Sequence, residues 1–153
     1  MVTLEDEIDT IENYLALQKV RYRDLFDYNI DVDDAIDPTA VMLPSMLAQP
    51  FIENAIEHGF KHKAGKGRIH IRCRRGNDVA IFEVEDDGVG REKAQEILKK
   101  LDKDHKSLAT AITRERIDVL NRKLKRKITL EIIDLKDGNG QPTGTLVRFG
   151  IPG

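Results

Sequence analysis

The hydrophobic and polar positions of the chain change period along its length, and each change predicts a secondary-structure element. Apolar residues recur at three- and four-residue intervals in residues 3–24 and in about residues 107–124, which is typical of amphipathic helices. Apolar stretches, several of them alternating with polar residues, predict strands elsewhere. These strands are residues 26–34, 68–75, 79–86, 128–135 and 145–151.

The two amphipathic helices each carry one continuous apolar stripe. In the first helix, Thr3 and Asp6 form an approximate capping box, and the helix either covers the sheet or projects as a separate arm. Its stripe is predicted to contain Leu4, Ile8, Ile11, Tyr14, Leu15, Leu17 and Tyr22. The stripe of the later helix is predicted to contain Ile112, Ile117, Leu120 and Leu124.

Two further helices are predicted between the strands. One covers residues 44–59 and ends at Gly59, and Pro50 fits it only near its start or at a kink because proline lacks a backbone N–H. A basic loop, residues 60–67, follows it. The other helix, roughly residues 91–103, is polar.

The connections between strands indicate the fold class. Gly76-Asn77 is a tight-turn signal between two strands, and a glycine-rich turn at 137–144 joins the last two strands. Both connections predict antiparallel hairpins. The chain is therefore predicted to be an α+β protein, with a mixed, mostly antiparallel sheet covered by helices on one face and an additional N-terminal helix.

Composition narrows the class of protein only moderately. The chain has 153 residues, enough for one domain with a substantial core, and its 25 basic and 27 acidic residues give a net charge of −2. That balance gives no reason to expect a nucleic-acid partner. Cys73 is the single cysteine, which excludes a disulfide framework and fits a cytoplasmic setting. No apolar run is long enough to predict membrane contact.

The first candidate for chemistry lies in 49-QPFIENAIEHGF-60, where Asn54 and His58 fall one helical turn apart among apolar residues. The Asn54 amide oxygen is chemically sufficient as the one protein ligand of a hydrated Mg²⁺, because magnesium keeps several waters. Alternatively, both residues are satisfied polar groups at a helix edge.

The second candidate is 86-DDGVG-90, directly after an apolar strand. A carboxylate at Asp86 is placed to accept a hydrogen bond from the exocyclic amine of adenine, and Gly88 and Gly90 would let the backbone approach the purine. Alternatively, the two aspartates are solvated and the glycines belong to a simple turn.

Taken together and in this order, these motifs resemble the Bergerat ATP-binding fold of gyrase, Hsp90, MutL and histidine kinases. Asn54 with His58 would be its N box, and Asp86, Gly88 and Gly90 its G1 box. The runs 4–24 and 44–60 are similar to LytS/YehU-type sensor histidine kinases, and 144–152 resembles the last strand of histidine kinase ATPase domains. The resemblance implies a two-layer α/β sandwich that binds ATP and Mg²⁺.

The resemblance also implies roles for other parts of the chain. Residues 1–24 would end the dimerisation and phosphotransfer region, and residues 25–153 would form the catalytic domain. Lys61, Ser107 and Thr145 would add nucleotide contacts, and residues 91–106 would be the ATP lid. The implied partners are a phosphoacceptor helix, a response regulator and a second copy of the parent kinase. This chain would lie in the cytoplasmic part of a membrane-bound sensor.

The sequence departs from the family pattern in three places. Ser107 and Ala109 replace glycines of the second glycine-rich box, and Pro50 stands where hydrolysing relatives have a glutamate. No histidine has the Pro-His-Phe context of a phosphoacceptor, so we expect the acceptor helix to lie outside these 153 residues.

Two other functions stay open. One is a degenerate interaction domain that has lost nucleotide binding, suggested by the missing glycines. The other is a serine kinase of the anti-sigma type, which shares the fold but needs no leading helix.

Overall fold

One five-stranded sheet carries helices on a single face in this computed structural model, which describes residues 1–23, 25–60, 65–88 and 108–152. The strands are β1 (Val2–Thr3), β2 (Phe26–Val32), β3 (Met42–Leu43), β4 (Gly67–Arg75), β5 (Val79–Asp86), β6 (Thr129–Lys136) and β7 (Pro142–Pro152). The helices are α1 (Leu4–Arg21), α2 (Gln49–Asn54), a π-helix (Ala55–Phe60) that continues α2, and α3 (Leu108–Asn121).

The order of strands in the sheet is β2-β4-β5-β7-β6. Only β2 and β4 are parallel, and the other three pairs are antiparallel. A separate pair, β1 with β3, holds the start of the chain against residues 42–43. This architecture confirms the predicted α+β sandwich with a mixed, mostly antiparallel sheet.

The core lies between the sheet and the helices. Alternation along the strands sends one set of side chains toward the helices, and these are fully or nearly fully buried. This inward set includes Ile69, Ile71, Phe82, Val84, Val147 and Phe149. None of the helices in the described ranges combines the length and apolar character that crossing a membrane requires.

The opposite face of the sheet is closed by charged side chains around Glu83, which is only 3% exposed. The Glu83 carboxylate accepts hydrogen bonds from Arg148 Nε at 2.8 Å and Arg74 Nε at 3.2 Å. Burial alone would raise the pKa of Glu83, but these two guanidinium groups outweigh burial and hold its pKa below the usual value. The buried charge on this face is therefore paired.

The first helix is part of the same core. Leu4, Ile11 and Leu15 are buried against the sheet side, and the Thr3 hydroxyl accepts a hydrogen bond from the Asp6 amide at 3.1 Å, capping the helix. Helix α1 therefore packs on the domain and does not project as a separate arm. The boundary predicted between residues 1–24 and 25–153 stays a prediction.

Three predicted details of the helices are wrong. Leu17 is 69% exposed and Ile112 is 49% exposed, so neither belongs to its helix's buried stripe. The helix predicted for residues 44–59 begins at Gln49, because Pro50 occupies its first turn, where no N–H is needed. Its second half is π-helical rather than α-helical.

We expect Leu15→Ala to lower the free energy of unfolding by about 2–5 kcal/mol, because it opens a cavity under a fully buried side chain. Leu17→Ala on the same helix is the matched control and should change it by less than about 0.5 kcal/mol. Urea unfolding of both variants measures the difference. Equal small effects would show that α1 is not packed into the domain.

Candidate functional site

Residues 49–60, called the crossing segment below, run diagonally over the inner face of the sheet. At its start the ring of Phe51 lies edge-on to Phe149 on β7, with centroids 5.9 Å apart. At its end the ring of Phe60 stacks on Phe26 of β2, also at 5.9 Å. A Cβ at Gly67 of β4 would overlap the Phe60 ring, so this position has room only for glycine.

This crossing brings the end of the segment to one particular end of the sheet. Gly67 precedes Ile69 by two residues on β4, and Ile69 pairs with Asp86, the last residue of β5. The Phe60 end of the crossing segment and the carboxylate of Asp86 therefore lie at the same end of the sheet. The two sequence motifs converge there.

Asn54 lies between the two aromatic anchors, on the last turn of α2. Its neighbours Ile52, Ala55 and Ile56 are buried, whereas Asn54 is half-buried. Among the described residues, none forms a hydrogen bond with its side-chain amide. Glu53 is exposed and lies 3.4 Å from Gln49 Nε2, which confirms that Glu53 and Asn54 occupy different faces.

Asp86 lies on the inner face of β5, in line with the buried Phe82 and Val84. The residue is partly exposed, but its carboxyl group is surrounded by protein, and the Gly88 amide donates to Oδ1 at 2.9 Å. This contact places the first glycine of the predicted motif directly on the carboxylate.

Burial raises the pKa of Asp86 from an ordinary value of 3.8 to about 7. The amide of Gly88 opposes this rise, the charges of Asp87 and Glu85 add to it, and the amide of Thr145 opposes it. Asp86 therefore changes its ionisation near neutral pH. A strongly shifted carboxyl group at the end of a strand is typical of a functional site.

The neighbouring Asp87 has a different role, since it hydrogen-bonds to the protein backbone. Its Oδ1 accepts a hydrogen bond from the Arg68 amide at 2.7 Å, and its own amide donates to the Arg68 carbonyl at 3.2 Å. Asp87 is exposed, and its two hydrogen bonds hold the chain after β5 against the start of β4. Of the two aspartates, Asp86 is therefore the one available to a ligand.

Thr145 lies directly opposite Asp86 on β7, so both side chains share the inner face. The same row continues with Asp134 on β6, which pairs with Thr145. Sequence reasoning selected Thr145 but missed Asp134, because one aspartate in an apolar strand gives no signal until the strand order is known.

Gly144 was also missed as a site residue. Its φ is +149°, and a Cβ there would overlap the carbonyl oxygen of Asp86. Glycine at this position therefore lets β7 approach the end of β5 closely. The only signal in the sequence was a glycine at the start of the last strand.

Several predicted site residues cannot be placed. Lys61, Gly90 and Ser107 lie outside the described residues, as does the predicted lid at 91–106. The backbone of His58 lies in the π-helix, and its side chain is outside the described part. Their predicted roles stay predictions. The described residues contain no cluster of three or more His, Cys, Asp or Glu side chains suited to a metal.

The family of the chain follows from a match over residues 44–152 to the histidine kinase-, DNA gyrase B- and HSP90-like ATPases. These residues include the crossing segment, Asp86 and β7. The chain belongs to this family, and it is an ATP-binding domain.

Curated relatives of the chain include a sensor histidine kinase and a sensor protein. The chain is 35% identical over 85 residues to the sensor histidine kinase BtsS of Escherichia coli strain K12, covering 56% of this chain and 15% of BtsS. It is 30% identical over 89 residues to the sensor protein LytS of Staphylococcus saprophyticus, covering 58% of this chain and 15% of LytS. The chain thus spans a small part of the length of these relatives.

Solved structures share the fold. The histidine kinase domain of the Erythrobacter litoralis EL346 blue-light activated histidine kinase matches with a TM-score of 0.64 at 20% identity, covering 99% of this chain and 66% of that one. The mycobacterial sensor histidine kinase MprB matches with a TM-score of 0.60 at 18% identity, covering 99% and 97%. Both are histidine kinase structures, which agrees with the predicted Bergerat fold.

The raised pKa of Asp86 predicts a pH dependence of stability. The folded protein holds the Asp86 proton up to about pH 7, whereas the unfolded chain releases it near pH 3.8. The contribution of this proton to the free energy of unfolding is therefore fully present below about pH 3.8. It is lost as pH rises through about 7. Asp86→Asn removes the titration, so its stability relative to the unmodified protein should rise between about pH 4 and about pH 8.

Urea unfolding of the two proteins across this range measures the effect. Asp34→Asn is the control, because it makes the same chemical change at an exposed aspartate in a turn after β2. If the free energies of unfolding of Asp86→Asn and the unmodified protein differ by the same amount at all pH values, Asp86 is not a buried carboxyl group with a raised pKa.

Proposed function

We propose that this ATP-binding domain holds Mg·ATP and delivers the γ-phosphoryl group to a histidine of a parent sensor kinase. The observation that carries the proposal is the placement of Asp86, a buried carboxylate at the end of β5 beside Gly88 and Thr145. The similarity to the sensor histidine kinase BtsS and to the sensor protein LytS supports the reaction class.

Adenine would lie against Asp86. Its exocyclic amine is a donor, and an ionised Asp86 presents only acceptor atoms. Donation from the amine would favour the ionised form and offset the effect of burial. Guanine carries an oxygen where adenine carries the amine, so a carboxylate disfavours GTP at this position. Gly144 keeps β7 close enough for Thr145 to border the same base.

Asn54 would supply the protein ligand for Mg²⁺. It fits this role because it is half-buried, carries an amide oxygen, and forms no hydrogen bond with any described side chain. Magnesium bound to a nucleotide takes most of its ligands from phosphates and water, so one amide suffices. The ion would neutralise charge on the phosphates as the phosphoryl group leaves.

The phosphates would extend from Asp86 toward Asn54, along the end of the sheet where the crossing segment finishes. Lys61 and Ser107 are proposed to contact them, Lys61 as a point charge and Ser107 at a helix start. His58 is proposed to border the same pocket, and Gly88 and Gly90 to allow the close approach of the purine.

The domain would contribute positioning and electrostatics rather than a covalent step. Pro50 lies in the first turn of α2, where hydrolysing relatives are expected to have their glutamate, and proline has no acid or base to activate water. We therefore propose slow hydrolysis of ATP and transfer to a phosphoacceptor helix. A response regulator and a homodimeric parent complete the proposed pathway.

We expect Asn54→Ala to weaken binding of Mg·ATP about tenfold, because the protein ligand to the ion is lost. Affinity for ATP in the presence of EDTA should change little, since no ion is then held. Calorimetric titration with and without magnesium separates the two quantities.

Asn77→Ala is the matched control, because Asn77 is an exposed asparagine in the β4–β5 turn. It should bind like the unmodified protein. If Asn54→Ala binds Mg·ATP with unchanged affinity, Asn54 is not the magnesium ligand.

A further inference from the structure

A buried acidic side chain joins α1 to the chain just before the crossing segment. Glu7 is only 2% exposed, and its carboxylate accepts hydrogen bonds from the Met46 amide at 3.0 Å and the Leu47 amide at 2.9 Å. Both bonds span about forty residues of sequence, so they are tertiary contacts. A buried carboxylate is tolerated here because both oxygens are satisfied.

The loop that Glu7 holds is strained, and one further side chain, Arg116 of α3, donates to its Ser45 carbonyl at 2.8 Å. Met46 has a φ of +57°, which is uncommon for a residue with a side chain. Ala48 precedes α2 and makes no side-chain capping bond. The conformation therefore depends on contacts from elsewhere, and Glu7 supplies two of them at the entrance to α2.

A second contact joins α1 to the far half of the crossing segment. The hydroxyl of Tyr22, the C-cap residue of α1, donates to Glu57 Oε1 at 3.0 Å. Glu57 lies in the π-helix, three residues after Asn54. Such π-helical turns are rare and depend on their surroundings.

A third residue of α1 is close to the same helix. Burial, together with the charges of Glu53 and Glu57, raises the pKa of Tyr14 to about 12. Tyr14 and Tyr22 thus both lie near acidic residues on either side of Asn54. The leading helix is therefore tied to the chain just before the crossing segment through Glu7 and to its π-helical half through Tyr22.

We propose that Glu7 and Tyr22 are positioning residues that hold the two ends of the crossing segment, so that α1 sets the position of Asn54. This inference rests on the proposed role of Asn54 as the magnesium ligand. Magnesium demands near-ideal octahedral geometry with short bonds. A small shift of the amide oxygen therefore weakens the binding of Mg²⁺ far more than the binding of adenine. A displacement of α1 would therefore alter the affinity for Mg²⁺ while Asp86 keeps its place at the sheet.

The test compares Tyr22→Phe and Glu7→Gln with matched changes elsewhere. Tyr22→Phe removes the donor and keeps the ring, and Glu7→Gln keeps one acceptor oxygen of two. The exposed Glu12→Gln on α1 makes the same chemical change as Glu7→Gln at a solvent-facing position, and Tyr28→Phe removes a tyrosine hydroxyl from β2 rather than from α1. Each protein is titrated with Mg²⁺ at saturating ATP, and with ATP in EDTA.

We expect Tyr22→Phe and Glu7→Gln each to weaken the Mg²⁺ affinity about fivefold, the typical effect of losing one hydrogen bond. Affinity for ATP in EDTA should stay unchanged, as should both affinities of the control variants. A parallel loss of both affinities would mean that the two residues only support the fold, and it would overturn the proposal.

Asn54→Ala in the same titration separates two kinds of failure. If Asn54→Ala weakens Mg²⁺ and the Glu7 and Tyr22 variants do not, positioning by α1 is wrong and the proposed function stands. If none of the three changes Mg²⁺ affinity, the magnesium assignment fails and the positioning proposal fails with it.

Discussion

The packing of the crossing segment over the sheet is the constraint on which the rest of the structure depends. Two ring contacts define its path, Phe51 on Phe149 and Phe60 on Phe26, and Gly67 leaves room for the second. The segment cannot move along the sheet without breaking a buried aromatic contact at one end. Its diagonal path brings the helix that carries Asn54 toward the end of the sheet where β5 finishes.

The ligand groups then follow from the way the strands end. Asp86 is the last inward-facing residue of β5. Its carboxyl group is surrounded by protein because it lies on the same face as the buried apolar residues before it. The positive φ of Gly144 allows the neighbouring strand to close over it. Burial explains why this carboxyl group has a raised pKa.

Most of the fold followed from local patterns in the sequence, because alternation and turn residues specify strands directly. The start of α2 was misplaced because the apolar residues around Leu47 are buried without being helical. Leu17 was assigned to the buried stripe because spacing alone cannot show how wide the contact with the sheet is. Asp86 and Asn54 stood out because each is polar in an apolar setting.

The rest of the site depended on long-range placement. Glu7 is one acidic residue among several in the first turns of α1, and only the fold shows that its oxygens meet two amides forty residues away. Asp134 and Gly144 likewise gain meaning only from the strand order β5-β7-β6. Contacts of this kind leave no periodic signal in the chain.

The central claim is that this domain delivers a phosphoryl group from ATP to a histidine. The most direct measurement is incubation with γ-labelled ATP and magnesium, with and without a polypeptide that carries a phosphoacceptor helix of a sensor kinase. The account predicts label on the added polypeptide that is lost in acid and survives base, as phosphohistidine does. Label that survives acid and is lost in base, or no label on any acceptor, would contradict it.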